Sequence, residues 1–298
     1  MTRAFSGLSA FPVTPMDAGG RVDTDHLQRV VARLAGAGVQ SIGVLGSTGA
    51  YAYLSSAERA RAVRAAVEAA GAVPVLAGIG ALATRDVIRH AQDSEAAGAS
   101  AVLLAPMSYL PLTEADVVGL FEDATGATGL PVCVYNNPGT THVTISDDLL
   151  VRLAAIPGVV AVKSPSAADV PAQLARLRPQ VPEGFSLGHS GDATMAGALN
   201  AGCDAWYSVL AGACPEICMD MWAARNHPGA LAEIDARLAP LWSLFAQHGG
   251  IRVIYEAANI LGLGPVALPR PLLPLPDAVR TQIAAALRAA NENEGEAA

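Results

Sequence analysis

The sequence contains very little lysine. Of its 19 Lys and Arg residues only one is a lysine, Lys163, and the rest are arginines. Arginine can replace lysine as a surface cation, but it stays protonated and cannot act as an amine nucleophile. A compositional preference for arginine explains the scarcity without any function, so the meaning of Lys163 depends on its position. It lies in the apolar segment VVAVKSPS, an unusual place for a hydrated ammonium group.

Charged residues are also scarce, at 15% of the 298 residues, whereas hydrophobic residues make up 52%. This composition excludes a largely disordered chain and predicts a large buried core. The net charge of −8 argues against partners that require a basic surface. We therefore expect no binding to nucleic acid or to membranes, and we expect small molecules as ligands.

Long hydrophobic runs and cysteine clusters are missing as well. The first residues lack an apolar stretch of signal-peptide length, and no segment reaches the roughly 20 apolar residues of a membrane helix. We therefore expect a cytoplasmic protein. Four cysteines, at positions 133, 203, 214 and 218, are too few for a disulfide framework and do not have zinc-ligand spacing. They predict buried thiols and no metal site.

Short segments rich in Val, Ile and Leu recur along the chain. They begin at Gly7, Ser41, Pro74, Ala101, Pro131, Val159, Phe185 and Ala205. Most of the intervals contain an amphipathic helix, and the capping pairs Ser55 with Glu58 and Thr113 with Asp116 mark helix starts. Apolar runs without alternation indicate parallel strands that are covered on both faces. The pattern predicts a (β/α)8 TIM barrel, and the lack of a dinucleotide-binding motif after the first strand disfavours a doubly wound sheet.

The chain after the eighth segment has a helical pattern. We place the barrel, as the catalytic domain, in residues 1–225 and a C-terminal helical extension in residues 226–298. The extension is expected to pack on the barrel or on a neighbouring subunit. The last eight residues, NENEGEAA, are polar and acidic and predict a short disordered tail.

Reactive groups in such a barrel lie at the carboxyl ends of the strands. Lys163 lies near the end of the sixth strand, where burial among valines favours the free amine that attacks a carbonyl to form a Schiff base. The alternative is a lysine whose stem packs while its head group reaches water. Tyr135, at the end of the fifth strand, is either a neighbouring proton relay or a tyrosine on the barrel rim.

Other strand ends supply candidate substrate-binding groups. Gly46, Ser47 and Thr48 form a turn whose hydroxyls and backbone N–H groups suit a carboxylate or a phosphate, although small residues in a row are also typical of any turn. Asp192 is a candidate for binding substrate hydroxyls or for capping a helix. The remaining candidates are Tyr109, Asn137, Ser190 and Gly191.

Three ordered motifs span much of the chain: GSTGAYAYLSSAER, YNNPGTT and VVAVKSPS. They resemble the GTTGE…L…ER signature, the YNxP segment and the Schiff-base lysine strand of the dihydrodipicolinate synthase and N-acetylneuraminate lyase superfamily. The resemblance implies a barrel with a helical carboxyl extension that assembles as a homotetramer or dimer of dimers. It also implies class I aldolase-type lyase chemistry on pyruvate or another 2-oxo acid, without cofactor or metal. It assigns the imine to Lys163, proton shuttling to Tyr135 and carboxylate binding to Ser47 and Thr48.

Two departures from the synthase pattern concern the second substrate. The arginine that follows the YNxP segment by two residues in dihydrodipicolinate synthase is Thr140 here, and the tyrosine pair after its fourth strand is Met107 and Ser108, followed by Tyr109. We therefore favour a 2-keto-3-deoxy-acid aldolase or dehydratase. The alternatives are dihydrodipicolinate synthase proper, acting on pyruvate plus aspartate semialdehyde, a catalytically silent metabolite-binding barrel, and a phosphate-binding isomerase barrel.

Overall fold

Parallel strands close into a barrel in the computed structural model, which describes residues 3–165 and 169–291. The eight strands follow each other in sequence order around the barrel, and the last pairs with the first. They are Gly7–Ala10 (β1), Ser41–Val44 (β2), Val75–Gly78 (β3), Ala101–Leu104 (β4), Val132–Tyr135 (β5), Val159–Pro165 (β6), Ser186–Ser190 (β7) and Ala205–Ser208 (β8). The predicted (β/α)8 barrel is therefore confirmed.

Helices alternate with these strands and form the outer layer. They are Thr24–Gly36 (α1), Ser56–Ala70 (α2), Thr84–Ala96 (α3), Glu114–Gly126 (α4), Pro138–Thr141 (α5), Asp147–Ala154 (α6), Val170–Leu177 (α7), Met195–Asn200 (α8) and Pro215–Ala223 (α9). Two helices, α5 and α6, lie between β5 and β6, and α9 follows β8.

The two predicted capping pairs differ in the structure. Thr113 and Asp116 form the complete reciprocal pair at the start of α4. Ser55 accepts a hydrogen bond from the Glu58 backbone N–H at 3.3 Å, as expected of a capping pair. The reciprocal bond from the Ser55 backbone N–H to the Glu58 carboxylate, which the pairing predicted, is not formed. The carboxylate accepts instead from the Val22 backbone N–H at 2.7 Å and from Arg61 at 2.8 Å. A charged guanidinium is a stronger donor than the exposed backbone group it replaces.

Alternate residues along each strand face two different layers. On β5, Val132 and Val134 belong to the aliphatic layer between strands and helices, whereas Cys133 and Tyr135 face the barrel interior. Both sets are buried, which is why the strands show continuous hydrophobic runs. The interior set points toward the axis of the barrel, where a side chain near a strand's carboxyl end can reach a ligand.

The chain continues after α9 as three further helices, Pro228–His248 (α10), Gly250–Ile260 (α11) and Asp277–Asn291 (α12), which we call the helical extension. Their buried residues, such as Leu238, Val253 and Ile283, join the same hydrophobic cluster as the barrel helices.

The predicted domain boundary between residues 225 and 226 remains a prediction. Asn291 ends α12, and the rest of the predicted disordered tail, residues 292–298, lies outside the described residues. Within the described ranges no helix is both long enough and apolar enough to cross a membrane.

Candidate active site

Lys163 lies on β6 directly beside Tyr135 on β5, and their Cα atoms are partners in the sheet. The lysine side chain is only 3% exposed. Its Nζ atom lies 3.8 Å from the centroid of the Phe11 ring, 4.4 Å from that of Tyr135 and 5.8 Å from that of Tyr207. The structure thus brings the two predicted catalytic residues together inside an aromatic box, where ring faces replace water around the amine. A lysine whose head group extends into water does not fit this geometry.

Glycines in the strands make room for this box. A Cβ atom on Gly43 would lie 2.2 Å from Cζ of Phe11, and one on Gly188 would lie 2.4 Å from Cε2 of Tyr207. The two rings also contact each other edge to face, with centroids 5.9 Å apart. Phe11 and Tyr207 were not predicted as site residues from the sequence. The available signal was glycine inside a strand, which marks a close approach by another group.

The Tyr135 hydroxyl belongs to a small hydrogen-bonded cluster. Asn137 Nδ2 donates to the Tyr135 oxygen at 2.9 Å and to Ser47 Oγ at 3.2 Å, and the two hydroxyl oxygens are 3.3 Å apart. Because the Tyr135 oxygen already accepts from Asn137, its own hydrogen can be donated to Ser47 or to a ligand. The cluster therefore contains the donors and acceptors that proton exchange with a bound molecule requires.

The turn that carries Ser47 is conformationally constrained. Leu45 and Ala50, which flank the Gly46–Gly49 segment, both have φ near the left-handed region, at +57° and +55°. Such φ values are uncommon for residues other than glycine and cluster at functional sites. Thr48 is buried and Ser47 is half-buried, so most of the turn is shielded from solvent.

A cavity of about 420 Å³ opens beside this turn, and we call it the mouth cavity. Ser47, Thr48, Tyr51, Met107 and Thr140 line it on the barrel side, and Gly249 with Gly250 line it from the junction of α10 and α11. The helical extension therefore contributes to this cavity. Neither this contribution nor that of Tyr51 was predicted from the sequence.

The other predicted binding residues are placed differently. Tyr109 is 92% exposed, so the structure does not bring it to the Lys163 box. Ser190 is half-buried and donates from Oγ to the Ser164 backbone oxygen at 3.3 Å, while Gly191 is exposed with a φ of +95°. Asn137 and Thr140 lie in the hydroxyl cluster and the mouth cavity, respectively.

Asp192 is buried, and both its oxygens accept hydrogen bonds from the protein. Trp206 Nε1 donates to one oxygen at 2.9 Å, and the Leu210 backbone N–H donates to the other at 2.8 Å. Burial raises the pKa of this carboxyl above its usual range. The side chain thus connects the end of β7 to β8, and it does not cap the short helical turn that it begins. Its assignment to substrate hydroxyls remains a prediction.

The described residues contain neither a cluster of metal-ligating side chains nor an exposed thiol. Residues 3–165 and 169–291 contain no group of three or more His, Cys, Asp or Glu side chains able to hold a metal ion. The four cysteines are free and buried, as predicted. Burial raises the pKa of Cys133, which lies in the barrel interior, to about 12 and keeps it protonated.

Comparison with known proteins finds relatives of one family both by sequence and by structure. The profile of the dihydrodipicolinate synthetase family matches residues 4–290. The 4-hydroxy-tetrahydrodipicolinate synthase of Acidiphilium cryptum is 35% identical over 95% of this chain and 97% of its own. A crystal structure of dihydrodipicolinate synthase from Agrobacterium tumefaciens is 49% identical and superimposes with a TM-score of 0.94 over 97% of this chain and 99% of its own. The enzyme from Acinetobacter baumannii, solved with pyruvate, is 27% identical with a TM-score of 0.87 over 96% and 99% of the two chains.

Proposed function

This chain belongs to the dihydrodipicolinate synthetase family and is an aldolase-type lyase, and we propose that it acts on pyruvate or another 2-oxo acid through an imine on Lys163. The observation that carries the proposal is the burial of the only lysine beside Tyr135 at the carboxyl end of the barrel. The pyruvate-bound relative from Acinetobacter baumannii supports the same substrate class.

The first half of the reaction forms the imine. The Lys163 amine attacks the C2 carbonyl of the 2-oxo acid, and Tyr135 delivers the proton with which the carbinolamine oxygen leaves as water. We assign the substrate carboxylate to the Ser47–Thr48 turn, whose backbone N–H groups and hydroxyls are suitable donors. The rings of Phe11 and Tyr207 keep water from the amine and stabilise the cationic imine by their ring faces.

The second half uses the imine as an electron sink. Loss of a proton from C3 gives an enamine, which attacks an aldehyde carbonyl to form a carbon–carbon bond, and the reverse sequence cleaves that bond. The same imine also promotes loss of a hydroxyl as water from a 2-keto-3-deoxy acid. In each case we expect the Tyr135–Ser47–Asn137 cluster to exchange the proton with the substrate oxygen.

Reductive trapping tests this proposal. We expect borohydride to fix pyruvate covalently on Lys163, with the adduct located by peptide mass spectrometry. Since the chain contains no other lysine, only the terminal amine gives background. Lys163→Arg keeps the positive charge but cannot form an imine and should show no adduct. Tyr135→Phe keeps the ring over Nζ and should slow imine formation by about 100-fold or more. A wild-type protein without adduct on Lys163 would exclude pyruvate as the substrate.

A second candidate is the synthase reaction itself, with aspartate semialdehyde as the partner of pyruvate. It is favoured by the names of curated relatives, including those from Acidiphilium cryptum and Thiobacillus denitrificans. Thr140 argues against it, because this neutral side chain lines the mouth cavity, where a cation would bind the carboxylate of aspartate semialdehyde more strongly. Turnover of aspartate semialdehyde with a kcat/KM above that of neutral aldehydes would establish this second candidate.

We also propose a homotetramer or dimer of dimers in the cytoplasm. Adjacent exposed side chains on the loop after β4, Tyr109 at 92% and Leu110 at 68%, form an apolar feature that a second subunit would cover. The free thiols suit a reducing compartment. Light scattering coupled to gel filtration measures the mass, and a monomer at micromolar concentration would contradict the assembly.

A further inference from the structure

Tyr51 lines the mouth cavity and has no role in the proposed imine mechanism. It follows Ala50, whose left-handed φ of +55° turns the chain into a short 3-10 helix, Tyr51–Tyr53. The side chain is only 6% exposed, yet it lines the cavity together with Ser47 and Thr48. The same loop therefore supplies both the predicted carboxylate-binding turn and a phenol.

The ring of Tyr51 is held on two sides. Arg59 places its guanidinium carbon 5.3 Å from the ring centroid. That guanidinium is itself fixed, since it donates to the backbone oxygens of Gly78 at 2.8 Å and Gly80 at 3.0 Å. A Cβ atom on Gly80 would lie 3.3 Å from Tyr51 Cε2, so the ring packs closely on the chain after β3. Tyr51 is thus preorganised, and a ligand would not have to order it.

The Tyr51 hydroxyl has a weak partner. It donates to Met107 Sδ at 3.0 Å, and a thioether is a poor acceptor compared with a ligand oxygen. Burial raises the pKa of Tyr51 well above its usual value, so the hydroxyl remains a neutral donor. A ligand oxygen in the cavity would therefore receive a stronger hydrogen bond than the one the sulfur accepts.

The mouth cavity contains no charged side chain among the described residues that line it. Apart from glycine backbone, its lining consists of apolar side chains and of side chains that carry a hydroxyl group. The hydroxyl groups belong to Ser47, Thr48, Tyr51, Tyr53 and Thr140. A second carboxylate would lose its hydration here without gaining a cation, whereas hydroxyl and aldehyde groups would find matching donors.

We propose that Tyr51 is a specificity-determining residue that donates a hydrogen bond to the aldehyde half of the substrate, and that this half is uncharged and carries hydroxyl groups. The inference rests on the proposed function, because the 2-oxo acid half must first occupy Lys163. The Tyr51 hydroxyl then binds an oxygen of the neutral chain in the mouth cavity, and the apolar lining contacts its carbons.

Steady-state condensation with saturating pyruvate tests the inference. D-glyceraldehyde serves as the neutral hydroxylated aldehyde, and succinic semialdehyde as one that carries a carboxylate. We expect wild-type kcat/KM to favour glyceraldehyde by about tenfold or more. Tyr51→Phe should lower kcat/KM for glyceraldehyde about tenfold, equivalent to roughly 1.4 kcal/mol, mainly through KM. The yield of the borohydride-trapped pyruvate adduct should stay unchanged, which also shows that the variant is folded.

Two further variants test whether the Tyr51 hydroxyl acts on the aldehyde directly. Met107→Leu removes the sulfur acceptor but keeps a side chain of similar size, and it should lower kcat/KM for glyceraldehyde less than Tyr51→Phe does. An equal or larger loss would mean that Tyr51 acts only by positioning Met107, and the inference would then be wrong. Thr140→Arg adds a cation to the exposed wall of the cavity and should shift the preference toward succinic semialdehyde.

The outcomes for the wild-type protein also separate the two proposals. A missing pyruvate adduct would exclude pyruvate as the 2-oxo acid of the proposed function and would overturn this inference with it, because no pyruvate imine would then be present to react with the aldehyde. An adduct without turnover of either aldehyde, or with a preference for succinic semialdehyde, would overturn the inference alone.

Discussion

The interior of the barrel and the layer between its strands and helices are built from the same eight strands but differ in composition. On β6, Val162 belongs to the outer aliphatic layer, and the next residue, Lys163, lies in the interior. On β8, Trp206 and Tyr207 divide in the same way. A shift of one residue along a strand therefore decides whether a side chain contributes to the outer core or to the candidate active site.

The two layers depend on different kinds of contact. The outer layer is a large cluster of Leu, Val, Ile and Ala in which each side chain has many neighbours. The interior is a smaller cluster in which the rings around Lys163 fit against strand glycines. We therefore expect substitutions in the outer layer to reduce stability with little effect on imine formation, and substitutions in the interior to slow imine formation as well as reduce stability.

The largest effect on stability is expected from Phe121→Ala in the outer layer. Phe121 is fully buried on α4, and its truncation leaves a cavity that should lower the free energy of unfolding by about 3–5 kcal/mol. Urea denaturation measures this loss. The rate of pyruvate trapping on Lys163, measured well below the unfolding transition, should stay within about twofold of wild type. A parallel fall in trapping rate would mean that the two layers are not separable.

Gly43→Ala should have a smaller effect on stability and a larger one on chemistry. Because the new methyl would lie 2.2 Å from Phe11 Cζ, the ring must leave its position over Lys163 Nζ. We expect a loss of about 1–3 kcal/mol in the free energy of unfolding, as for other overpacked cores. The trapping rate should fall further than in Phe121→Ala, because the aromatic box is disrupted.

Gly119→Ala is the matched control for this substitution. It makes the same chemical change within α4, where no atom outside the neighbouring backbone of the helix lies within 4 Å of the new methyl group. Alanine is the better helix former, so this variant should gain about 0.5–1 kcal/mol in stability and leave trapping unchanged. Equal effects of the two substitutions would show that the interior glycine has no special packing role.

The fold and the centre of the site were predictable because their signals are local. Tyr135 and Lys163 each end a strand-like segment, and consecutive parallel strands of a barrel are neighbours, so the sequence alone could bring them together. The Ser47 turn could be recognised for the same reason. Its hydrogen-bonded link to Tyr135 and Asn137 was not predicted, because β2 and β5 are not neighbouring strands.

The rest of the site depends on contacts between distant parts of the chain. Phe11 and Tyr207 meet only because β1 pairs with β8 when the barrel closes. The role of Asp192 depends on Trp206 of β8, which orients toward it only in the folded chain. Tyr51 reaches the mouth cavity through a left-handed Ala50, a backbone conformation that sequence patterns do not indicate.

A pH-dependent effect on stability is expected from His90, a polar exception in the outer layer. This histidine is buried on α3, and burial, with a further contribution from nearby Arg59, lowers its pKa from 6.5 to about 4. The folded protein therefore keeps His90 neutral between these pH values, whereas the unfolded chain binds a proton there. By linkage, stability should fall as pH decreases from about 6.5 to 4, by at most about 1.4 kcal/mol per pH unit, and this contribution should level off below pH 4.

Urea denaturation across this range should show a weaker pH dependence of stability for His90→Gln than for wild type. His227→Gln, at an exposed histidine before α10, is the control for loss of an imidazole elsewhere. An unchanged pH dependence in His90→Gln would mean that the outer layer tolerates a charged imidazole, and the contrast between an apolar shell and a functional interior would then be weaker than the packing indicates.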